Sequence, residues 1–574
     1  MLTPEQLAHC ADDILELYSK LEEAIVRDIA RRVAKTGTMT DTAIWQAQHM
    51  QELGTLNSDI LNSISKYSGK CESELKKLFE DAAITATEYD NEIYRANGLN
   101  PKSIKVSDTQ LQILEAGFKK TQGNLSNLTL TTAVSSQTSF INACSLAELK
   151  ATSGAFSPQQ AIVDAIKQVA INGVEVVYPS GHKDKMDVAV RRNVMTGIGQ
   201  TTGQICLANA QELGCDLMEI TAHAGARPSH SYWQGQVVSL SGRKGYLSLS
   251  DIGYGSGDGF KGWNCRHDWY PYFGGTRMYD EEKLKQMDAK NIEYPDGSMH
   301  TLYEAEQKQR AYERKIRESK RILAAYDESI KNADDEAIKK AYQNIFNKES
   351  VKLKNREAEL NNFCDKTGLL KRNDRVQKYG FGRSTAQKAV SSANKHYKTW
   401  SKEHNINNIK TLAEYYNVKY NDVRRYNLLK GYVKAVDEGG ISPLIGFDLY
   451  EEKAKEVEKM LVGQITTNGI EIKDFTTHFI DRIIGQTSTS HSGMRLGTKM
   501  EYAVNCITKS TDISEPYYVP VKKGKITYLD KRQNIVCDNC SVVISITDNR
   551  LIQTTAFKLS LIHISEPTRL ALIS

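Results

Sequence analysis

The segment from His223 to Phe273 constrains the fold of this chain more than any other stretch. It contains three of the chain's five tryptophans among closely spaced glycines. It also contains four side chains of metal-binding type: His223, His230, Cys265 and His267. Tryptophan and histidine need specific partners once they are ordered. We therefore expect an ordered, irregular element here and not a linker.

Two blocks of this segment carry a family resemblance. The first, HAGARPSH, is followed by a tryptophan and a glycine, and the second has the form G-x-G-D-G-x-x-G-W-N-C-R-H. Both resemble the signature of the phage minor capsid protein 2 family, which is related to the Mu-F-type head morphogenesis proteins. The matching residues are His223, Arg227, His230, Trp233, Gly235, Trp263, Asn264, Cys265, Arg266 and His267. The resemblance, which includes LTPEQL near the amino end, implies a structural protein of the phage head close to the portal.

Length and composition set the broad class. At 574 residues, with 40% apolar and 25% charged residues, the chain is long enough for several folded domains. The net charge of +5 gives no independent reason to expect nucleic-acid binding. No run approaches the roughly 18–20 apolar residues that span a bilayer. The amino end lacks a basic segment followed by an apolar core, so we expect no signal peptide.

The pattern of helical and strand-like segments predicts a multidomain α+β protein. Caps such as Thr3-Pro4 and Ser157-Pro158 predict helix starts, and alternating apolar residues predict short strands at VEVVYP and DLMEITAHA. We predict a helical amino-terminal region at 1–125, a small α+β signature domain at 126–276, a charged, helical and coiled-coil-like linker at 277–402, a helix-plus-antiparallel-sheet domain at 403–558, and an extraneous tail at 559–574.

The region 277–402 contains a long amphipathic helix around YEAEQKQRAYERKIRESKR. Its apolar residues recur every three or four positions, which is typical of a coiled-coil-like seam. Its basic side chains are candidates for contact with phage DNA. Because glutamates balance them, we favour a solvated helix face.

The signature histidines and Cys265 allow two interpretations. Imidazole and thiolate are zinc donors, so His223, His230, Cys265 and His267 are a candidate tetrahedral set. Their spacings, His-x6-His and Cys-x-His, are unusual for known zinc folds. The alternative, which we favour, has the histidines and Arg227 hydrogen-bonding to buried backbone. In that alternative three tryptophans form a small core: Trp233, Trp263 and Trp269.

Two further chemistries are disfavoured for this segment. Phosphate loops place their glycines at a helix N-terminus, whereas GYGSGDGFKG leads into an aromatic stretch, so tight turns explain its glycines better. A catalytic Cys265–His267 pair is disfavoured because residues two apart seldom align as nucleophile and base. We predict no enzyme in residues 1–402 and no cofactor other than the candidate structural zinc.

The carboxyl-terminal domain carries a second resemblance. Short β-rich runs at ITYL, IVC, SVVISI and LIQTTAF predict a β-meander. Together with H-F-x-D-R-I-x-G, a following R-x-G and a closing T-T, they resemble the phage-associated barnase/EndoU/colicin/RelE-like nucleases. The resemblance covers one small domain and implies metal-free RNA cleavage through the ribose 2′-hydroxyl.

The residues that this resemblance implies for catalysis are His478, Arg482, Arg495 and Thr555. Histidine has an unperturbed pKa near neutrality, and an arginine four residues on shares its helix face. Arg495 and Lys499 are candidates to hold phosphate, and Thr554 or Thr555 to donate a hydrogen bond to it. The structural alternative pairs His478 with Asp481 and leaves Arg482 as a surface charge.

The C-x-x-C motif and the carboxyl-terminal tail have simpler interpretations. Cys537 and Cys540 form a C-x-x-C that lacks a second ligand pair nearby, so we assign it to strand or turn chemistry. The run LSLIHISEPTR from residue 559 looks like a translated sequencing-library adapter. We therefore expect residues 559–574 to be adapter read-through and the domain at 403–558 to be truncated.

The two resemblances imply a bacteriophage minor capsid protein in the virion, present in the host cytoplasm during assembly. Expected roles are head assembly, DNA packaging or ejection, with portal and capsid subunits as partners, phage DNA as a further candidate, and RNA as the substrate of a fused toxin-like RNase domain. Two alternatives remain open. One is a virion-delivered RNase effector; the other is a purely structural protein whose carboxyl-terminal domain is a non-enzymatic binding module.

Overall fold

The first helix starts where its capping residues predict. In the computed structural model, the Thr3 hydroxyl accepts a hydrogen bond from the backbone N–H of Gln6, and the Gln6 side chain accepts one from the backbone N–H of Thr3. Pro4 lies at the first helical position, where a missing N–H costs no bond. The hydroxyls of Ser157 and Thr301 also cap later helices. Local sequence therefore sets several helix starts.

The structure describes residues 1–36, 42–152, 157–178, 180–378, 380–442, 444–485, 495–523 and 526–557. The chain divides into an amino-terminal unit, Met1–Ser392, and a carboxyl-terminal unit, Ala393–Ser574. The predicted adapter tail at 559–574 lies outside the described residues. The predicted multidomain α+β class is confirmed.

The amino-terminal unit is mainly helical. Its helices are α1 Pro4–His9, α2 Asp12–Thr36, α3 Thr42–Ala96, α4 Asp108–Thr152, α5 Pro158–Asn172, α6 Met186–Glu212, α7 Glu281–Met287, α8 Leu302–Lys331, α9 Glu336–Thr367 and α10 Asn373–Val376. Helix α11 Arg383–Glu403 begins in this unit and ends in the carboxyl-terminal unit. Its strands are β1 Glu175–Val177, β2 Lys183–Lys185, β3 Leu217–Ile220, β4 Val237–Ser239, β5 Leu247–Ser248, β6 Trp269–Pro271, β7 Ile292–Glu293 and β8 Met299–His300. None of the described helices is long and apolar enough to cross a membrane.

Long helices build the core of this unit. Buried apolar residues of α2, α5 and α8 pack into one cluster, which includes Ile25, Ile166 and Leu323. Helices α8 and α9 form an antiparallel hairpin, because Tyr326 lies against Tyr342 near the connecting turn and Tyr312 lies against Phe363 at the far end. Helix α4 is continuous across residue 126, and α11 is continuous across residue 402.

A four-stranded sheet in the order β5-β4-β3-β6 carries the signature segment. Strand β3 is antiparallel to both β4 and β6, and β4 is parallel to β5. The strand predicted at DLMEITAHA is therefore confirmed as β3, although only Leu217–Ile220 of it is extended. This sheet fixes where the chain enters and leaves the signature segment.

The carboxyl-terminal unit combines helices with a six-stranded sheet. The helices are α12 Leu412–Asn421, α13 Val423–Asp437, α14 Phe447–Leu461, α15 Thr477–Ile484 and α16 Met500–Lys509, and the strands are β9 Asp474–Phe475, β10 Asp512–Ile513, β11 Tyr517–Lys523, β12 Ile526–Val536, β13 Cys540–Ser545 and β14 Arg550–Ala556. The predicted meander is confirmed, since β12, β13 and β14 pair antiparallel in succession. The runs ITYL and IVC belong to one strand, β12.

Two adjacent buried glutamates on α2 have opposite electrostatic environments. Glu22 binds the ammonium of Lys378 and lies 3.6 Å from the guanidinium of Arg321. Burial alone would raise the pKa of Glu22, but these two cations lower it to about 2. Among the described residues, neither carboxylate oxygen of Glu23 has a hydrogen-bond partner. Burial, aided by the nearby Glu22 charge, raises the pKa of Glu23 to about 8.

We predict that Glu23→Gln removes a pH dependence from the stability of this unit. Folded Glu23 keeps its proton up to about pH 8, whereas the unfolded residue loses it near its usual pKa of about 4.3. The stability that protonated Glu23 contributes to the wild-type unit is therefore present below the unfolded pKa and is lost as the pH rises towards 8. Urea unfolding measured between pH 5 and 8 should show that the free energy of unfolding falls less steeply with pH in the variant. The difference in this pH slope should be up to about 1.4 kcal/mol per pH unit. The exposed Glu5→Gln variant should keep the wild-type slope, and an unchanged slope in Glu23→Gln would contradict the prediction.

Candidate functional site

Strand pairing brings the two signature blocks together. Ile220, the last residue of β3, pairs with Trp269, the first residue of β6. Because the strands are antiparallel, the end of β3 lies beside the start of β6. The chain that follows β3 and the chain that precedes β6 therefore meet at the same end of the strands. His223 and His267 therefore meet there although 43 residues separate them in sequence, and their rings stack with centroids 4.5 Å apart.

Glycines between the blocks permit tight turns. Gly253 and Gly255 have positive φ angles of 59° and 75°, which side chains rarely adopt. A Cβ added to Gly262 would lie 2.1 Å from the carbonyl oxygen of Ser256, so no larger residue fits there without backbone movement. Trp263, immediately after this glycine, donates its backbone N–H to the carbonyl of Gly257. These contacts support tight turns as the function of the glycines.

Three potential ligand atoms converge where the blocks meet. The Nδ1 atoms of His230 and His267 lie 3.3 Å apart, and the Sγ atom of Cys265 lies 3.6 Å from Nδ1 of His267. The three atoms lie within 4.8 Å of one another, and all three residues are buried. The fourth predicted ligand, His223, stacks on His267 but does not belong to this group.

Hydrogen bonds to the outer ring nitrogens define the tautomers of these histidines. His230 donates from Nε2 to the carbonyl of Asp258 at 2.9 Å. His267 donates from Nε2 to Oε1 of Gln234 at 3.3 Å. The Gln234 orientation is fixed because the same Oε1 accepts the backbone N–H of His223, while its amide nitrogen donates to Asp288. Neutral His230 and His267 consequently present lone pairs at Nδ1.

Burial keeps the site uncharged. It lowers the pKa of His223 and of His230 to about 4, and it lowers the pKa of His267 well below its usual value, with His223 and His230 adding to the effect. Burial raises the pKa of the Cys265 thiol. His223 donates from Nδ1 to the carbonyl of Ala224, and its buried Nε2 has no hydrogen-bond partner among the described residues.

The two signature arginines join the blocks through backbone oxygens. Arg227 of the first block donates to the carbonyl of Trp263 at 2.8 Å. Arg266 of the second block donates to the carbonyl of Gly225 at 3.1 Å and lies 3.5 Å from a carboxylate oxygen of Glu306. Their hydrogen bonds hold the blocks in register.

The tryptophan core includes only two of the three predicted members. Trp233 and Trp269 are almost fully buried, with Phe260 packed between them at ring-centroid distances of 5.6 and 5.0 Å. Trp263 is 55% exposed, so the prediction that it belongs to this core is wrong. Its ring instead lies close to Gly257 on the surface of the turn. The remaining signature residues have turn roles: Gly235 has a φ of 67° and Asn264 a φ of 53°.

A buried ion pair, not foreseen from the sequence, anchors the second block. Lys261 and Asp268 are 1% and 0% exposed, and Nζ lies 2.5 Å from Oδ1. Asp268 also accepts the backbone N–H groups of Leu2 and Trp269, and its own N–H donates to Thr221. The buried Asp268 carboxylate therefore has a cation and two N–H donors around it, which offset its loss of hydration.

We predict that Lys261→Met destabilises the amino-terminal unit by about 3–5 kcal/mol, because it leaves the Asp268 carboxylate buried without its cation. Urea unfolding followed by tryptophan fluorescence measures this, since four of the five tryptophans belong to that unit. The control is Lys283→Met at a solvent-exposed pair with Asp280, which should change stability by less than about 1 kcal/mol. A Lys261→Met variant as stable as the control would rule out this role.

A cavity of about 960 Å³ adjoins the histidines and is rich in arginine. His223, His230 and His267 line part of its wall, together with Arg191, Arg266, Arg310 and Arg375. Burial lowers the pKa of Arg310 to about 10, and the neighbouring arginines add to this despite Glu306 nearby. Nine basic and seven acidic side chains line the cavity, so it has only a small excess of positive charge next to the signature cluster.

In the carboxyl-terminal unit, α15 carries two of the predicted RNase residues, His478 and Arg482. Nε of Arg482 lies 3.4 Å from Nε2 of His478, whose Nδ1 lies 3.6 Å from Asp481. Arg495 is half-buried and donates to the carbonyls of Gly440 and Asp481. Burial lowers its pKa, and the nearby Arg482 charge adds to the effect. His478, Arg482 and Arg495 thus share one surface, on which both the catalytic and the Asp481-paired interpretations remain open.

The predicted threonine and lysine have different surroundings. Thr554 is buried and contacts the hydroxyl of Thr498 at 3.2 Å, and the N–H of Thr498 donates to the carbonyl of Arg482. Thr555 is half-buried on the next position of β14. Lys499 is the residue before α16 and lies over the ring of Tyr502. Thr554 is therefore connected to the α15 residues through Thr498.

Sequence reasoning missed the partner of the C-x-x-C. Cys506 on α16 places its thiol within 4.8 Å of the thiols of Cys537 and Cys540, which lie 3.6 Å apart. Only the packing of α16 on the sheet brings this third thiol there, because 30 residues separate Cys506 from Cys537 in sequence. The turn from β12 to β13 supplies the other two: Cys537 follows β12, and its N–H donates to the carbonyl of Cys540, the first residue of β13.

Comparison with known proteins gives two matches for the chain. The family described as Phage minor capsid protein 2 matches residues 2–365, which include both signature blocks. A protein named "Structural protein" from Lactococcus phage LL-H is 24% identical over 293 residues, which cover 48% of this chain and 76% of the phage protein. No solved structure matches the chain.

Proposed function

This chain belongs to the phage minor capsid protein 2 family, and we propose that it is a minor component of the virion head near the portal. The observation that carries the proposal is the family match over residues 2–365, from α1 almost to the end of α9. The phage relative named as a structural protein supports it. The chain would act in head assembly, DNA packaging or ejection by docking on portal and capsid subunits, and it would pass through the host cytoplasm during assembly.

The mechanism we infer is architectural. In the signature domain the arginines, turn glycines and buried ion pair bind other parts of the same segment, which makes it a rigid element. A rigid element loses little conformational entropy when it docks on a partner. The arginine-rich cavity and the charged helices are candidate contacts for phage DNA, which a salt-dependent association would reveal.

We predict that the chain copurifies with mature particles and that Gly262→Ala reduces its incorporation at least tenfold. The added Cβ would collide with the Ser256 carbonyl and distort the signature turn. Quantitative mass spectrometry of gradient-purified particles, after complementation of a gene deletion, measures this. The control is Gly54→Ala on α3, where an added Cβ meets nothing within 4 Å. Recovery of the wild-type chain only outside the particles would overturn the proposal.

A second candidate function, ribonuclease activity of the carboxyl-terminal unit, is favoured by one observation. His478, Arg482 and Arg495 occupy the same surface around α15. His478 would take the proton of the ribose 2′-hydroxyl, and the 2′-oxygen would attack phosphorus while the two arginines stabilise the charge on the phosphorane. The bond from phosphorus to the 5′-oxygen would then break, leaving a 2′,3′-cyclic phosphate, and the departing 5′-oxygen would take a proton from solvent water. The chain would then be a virion-borne toxin, or primarily an RNase effector with the capsid part as its vehicle. Without this chemistry, the unit would be a binding module.

We predict that the full chain cleaves RNA without added metal and that His478→Ala lowers the rate at least about 100-fold, as expected for loss of a general base. Arg482→Ala should lower it as well, because it removes charge from the developing phosphorane. The matched control is His396→Ala, since His396 is an exposed helical histidine of the same unit. Cleavage that persists in His478→Ala, or no cleavage by the wild type, would leave the binding module as the better hypothesis.

A further inference from the structure

The lone pairs of two buried histidines face each other in the signature cluster. His230 and His267 use their Nε2 hydrogens for oxygen acceptors, so both Nδ1 atoms are acceptors, and these lie 3.3 Å apart. Two acceptors at this distance repel unless a cation lies between them. His230 and His267 are 2% and 1% exposed, which leaves little access for bulk solvent to relieve the repulsion. The geometry therefore calls for a bound proton or a bound metal ion.

The distances match the edges of a tetrahedral zinc site. With Zn–N bonds of about 2.0–2.1 Å and a Zn–S bond of about 2.3 Å, a tetrahedron has N–N edges of about 3.3–3.4 Å and N–S edges of about 3.5–3.6 Å. The Nδ1–Nδ1 distance of 3.3 Å and the Sγ–Nδ1 distance of 3.6 Å correspond to these edges. A single proton would satisfy the two nitrogens but would not require the third donor, Cys265.

The surrounding hydrogen bonds are those expected around metal ligands. Histidine ligands commonly donate the other ring N–H to a carbonyl or carboxylate oxygen, which fixes the tautomer and the ring orientation. His230 does so to the Asp258 carbonyl, and His267 does so to the Gln234 amide oxygen. The Gln234 amide is held in turn by Asp288 and by the backbone of His223. Both rings are thus oriented before any ion binds.

We propose that His230 Nδ1, His267 Nδ1 and Cys265 Sγ bind one zinc ion, with a water molecule as the fourth ligand. His223 is not a ligand; its buried Nε2 has no hydrogen-bond partner in the described part of the chain and would accept a hydrogen bond from that water. The adjoining cavity, which both ligand histidines line, supplies a route for the water. The ion would join His230 of the first block to His267 of the second, 37 positions later. This zinc site does not depend on the proposed role in head assembly.

Zinc content and zinc-edge X-ray absorption of the full chain, purified without a histidine tag, test this. We expect about one zinc per chain, with one sulfur at about 2.3 Å and the remaining ligands nitrogen or oxygen at about 2.0 Å. This measurement needs no variant and separates the site from the second thiol group, since Cys506, Cys537 and Cys540 would give three sulfurs. A three-sulfur environment, or no zinc above background after reconstitution with zinc chloride, would overturn the proposal.

Variants then assign the ligands. Cys265→Ser and His267→Ala should each lose at least nine-tenths of the zinc, whereas His223→Ala and Cys506→Ser should retain it. Thermal unfolding of the wild type should shift to lower temperature on zinc removal, and that shift should be absent in Cys265→Ser. Retention of zinc in Cys265→Ser, or its loss in Cys506→Ser, would contradict the assignment.

Discussion

The Lys261–Asp268 ion pair is the interaction on which the signature segment depends. Lys261 lies in the second block and Asp268 directly follows it, only seven positions later, yet their neighbours are far along the chain. Asp268 accepts the N–H of Leu2 before α1, and Thr221 after β3 accepts the N–H of Asp268. Such a pair gains little net stability over an apolar replacement, but it tolerates only one arrangement of its hydrogen-bonding neighbours. It therefore selects one path for the chain between β3 and β6.

Helix α6 makes room for this pair. A Cβ added to Gly203 would lie 3.1 Å from Cε of Lys261, and one added to Gly199 would lie 3.9 Å from Cδ. These two glycines are one helical turn apart, so together they form a shallow groove for the lysine stem. The methylene groups are buried against the helix while the ammonium reaches Asp268. Two glycines of α6 thus leave the space in which a lysine from an irregular loop is buried.

Local chemistry explains which parts of this structure could be predicted. The Thr3 cap, the β3 strand and the β12–β14 meander follow from hydroxyl capping and alternation, which act over a few residues. The burial of Lys261, the third thiol of Cys506 and the exposure of Trp263 depend on contacts with elements far away in sequence. The local sequence does not indicate such contacts. The predicted tryptophan core therefore wrongly includes Trp263. The sequence shows four side chains of metal-binding type in the signature segment, but only the fold separates His223 from the three that converge.

The proposed functions of the two units rest on how their polar groups are used. In the signature segment, Arg227 and Arg266 donate to backbone carbonyls of the opposite block, and the Asp268 carboxylate binds Lys261 and two backbone N–H groups. Groups engaged in this way hold the segment in one shape. On α15, His478 is half-exposed and lies beside Arg482 and Asp481. A half-exposed histidine beside an arginine suits an anionic ligand such as an RNA phosphate. The engaged groups of the signature segment therefore suit the proposed architectural role, and the residues of α15 suit the proposed RNase role.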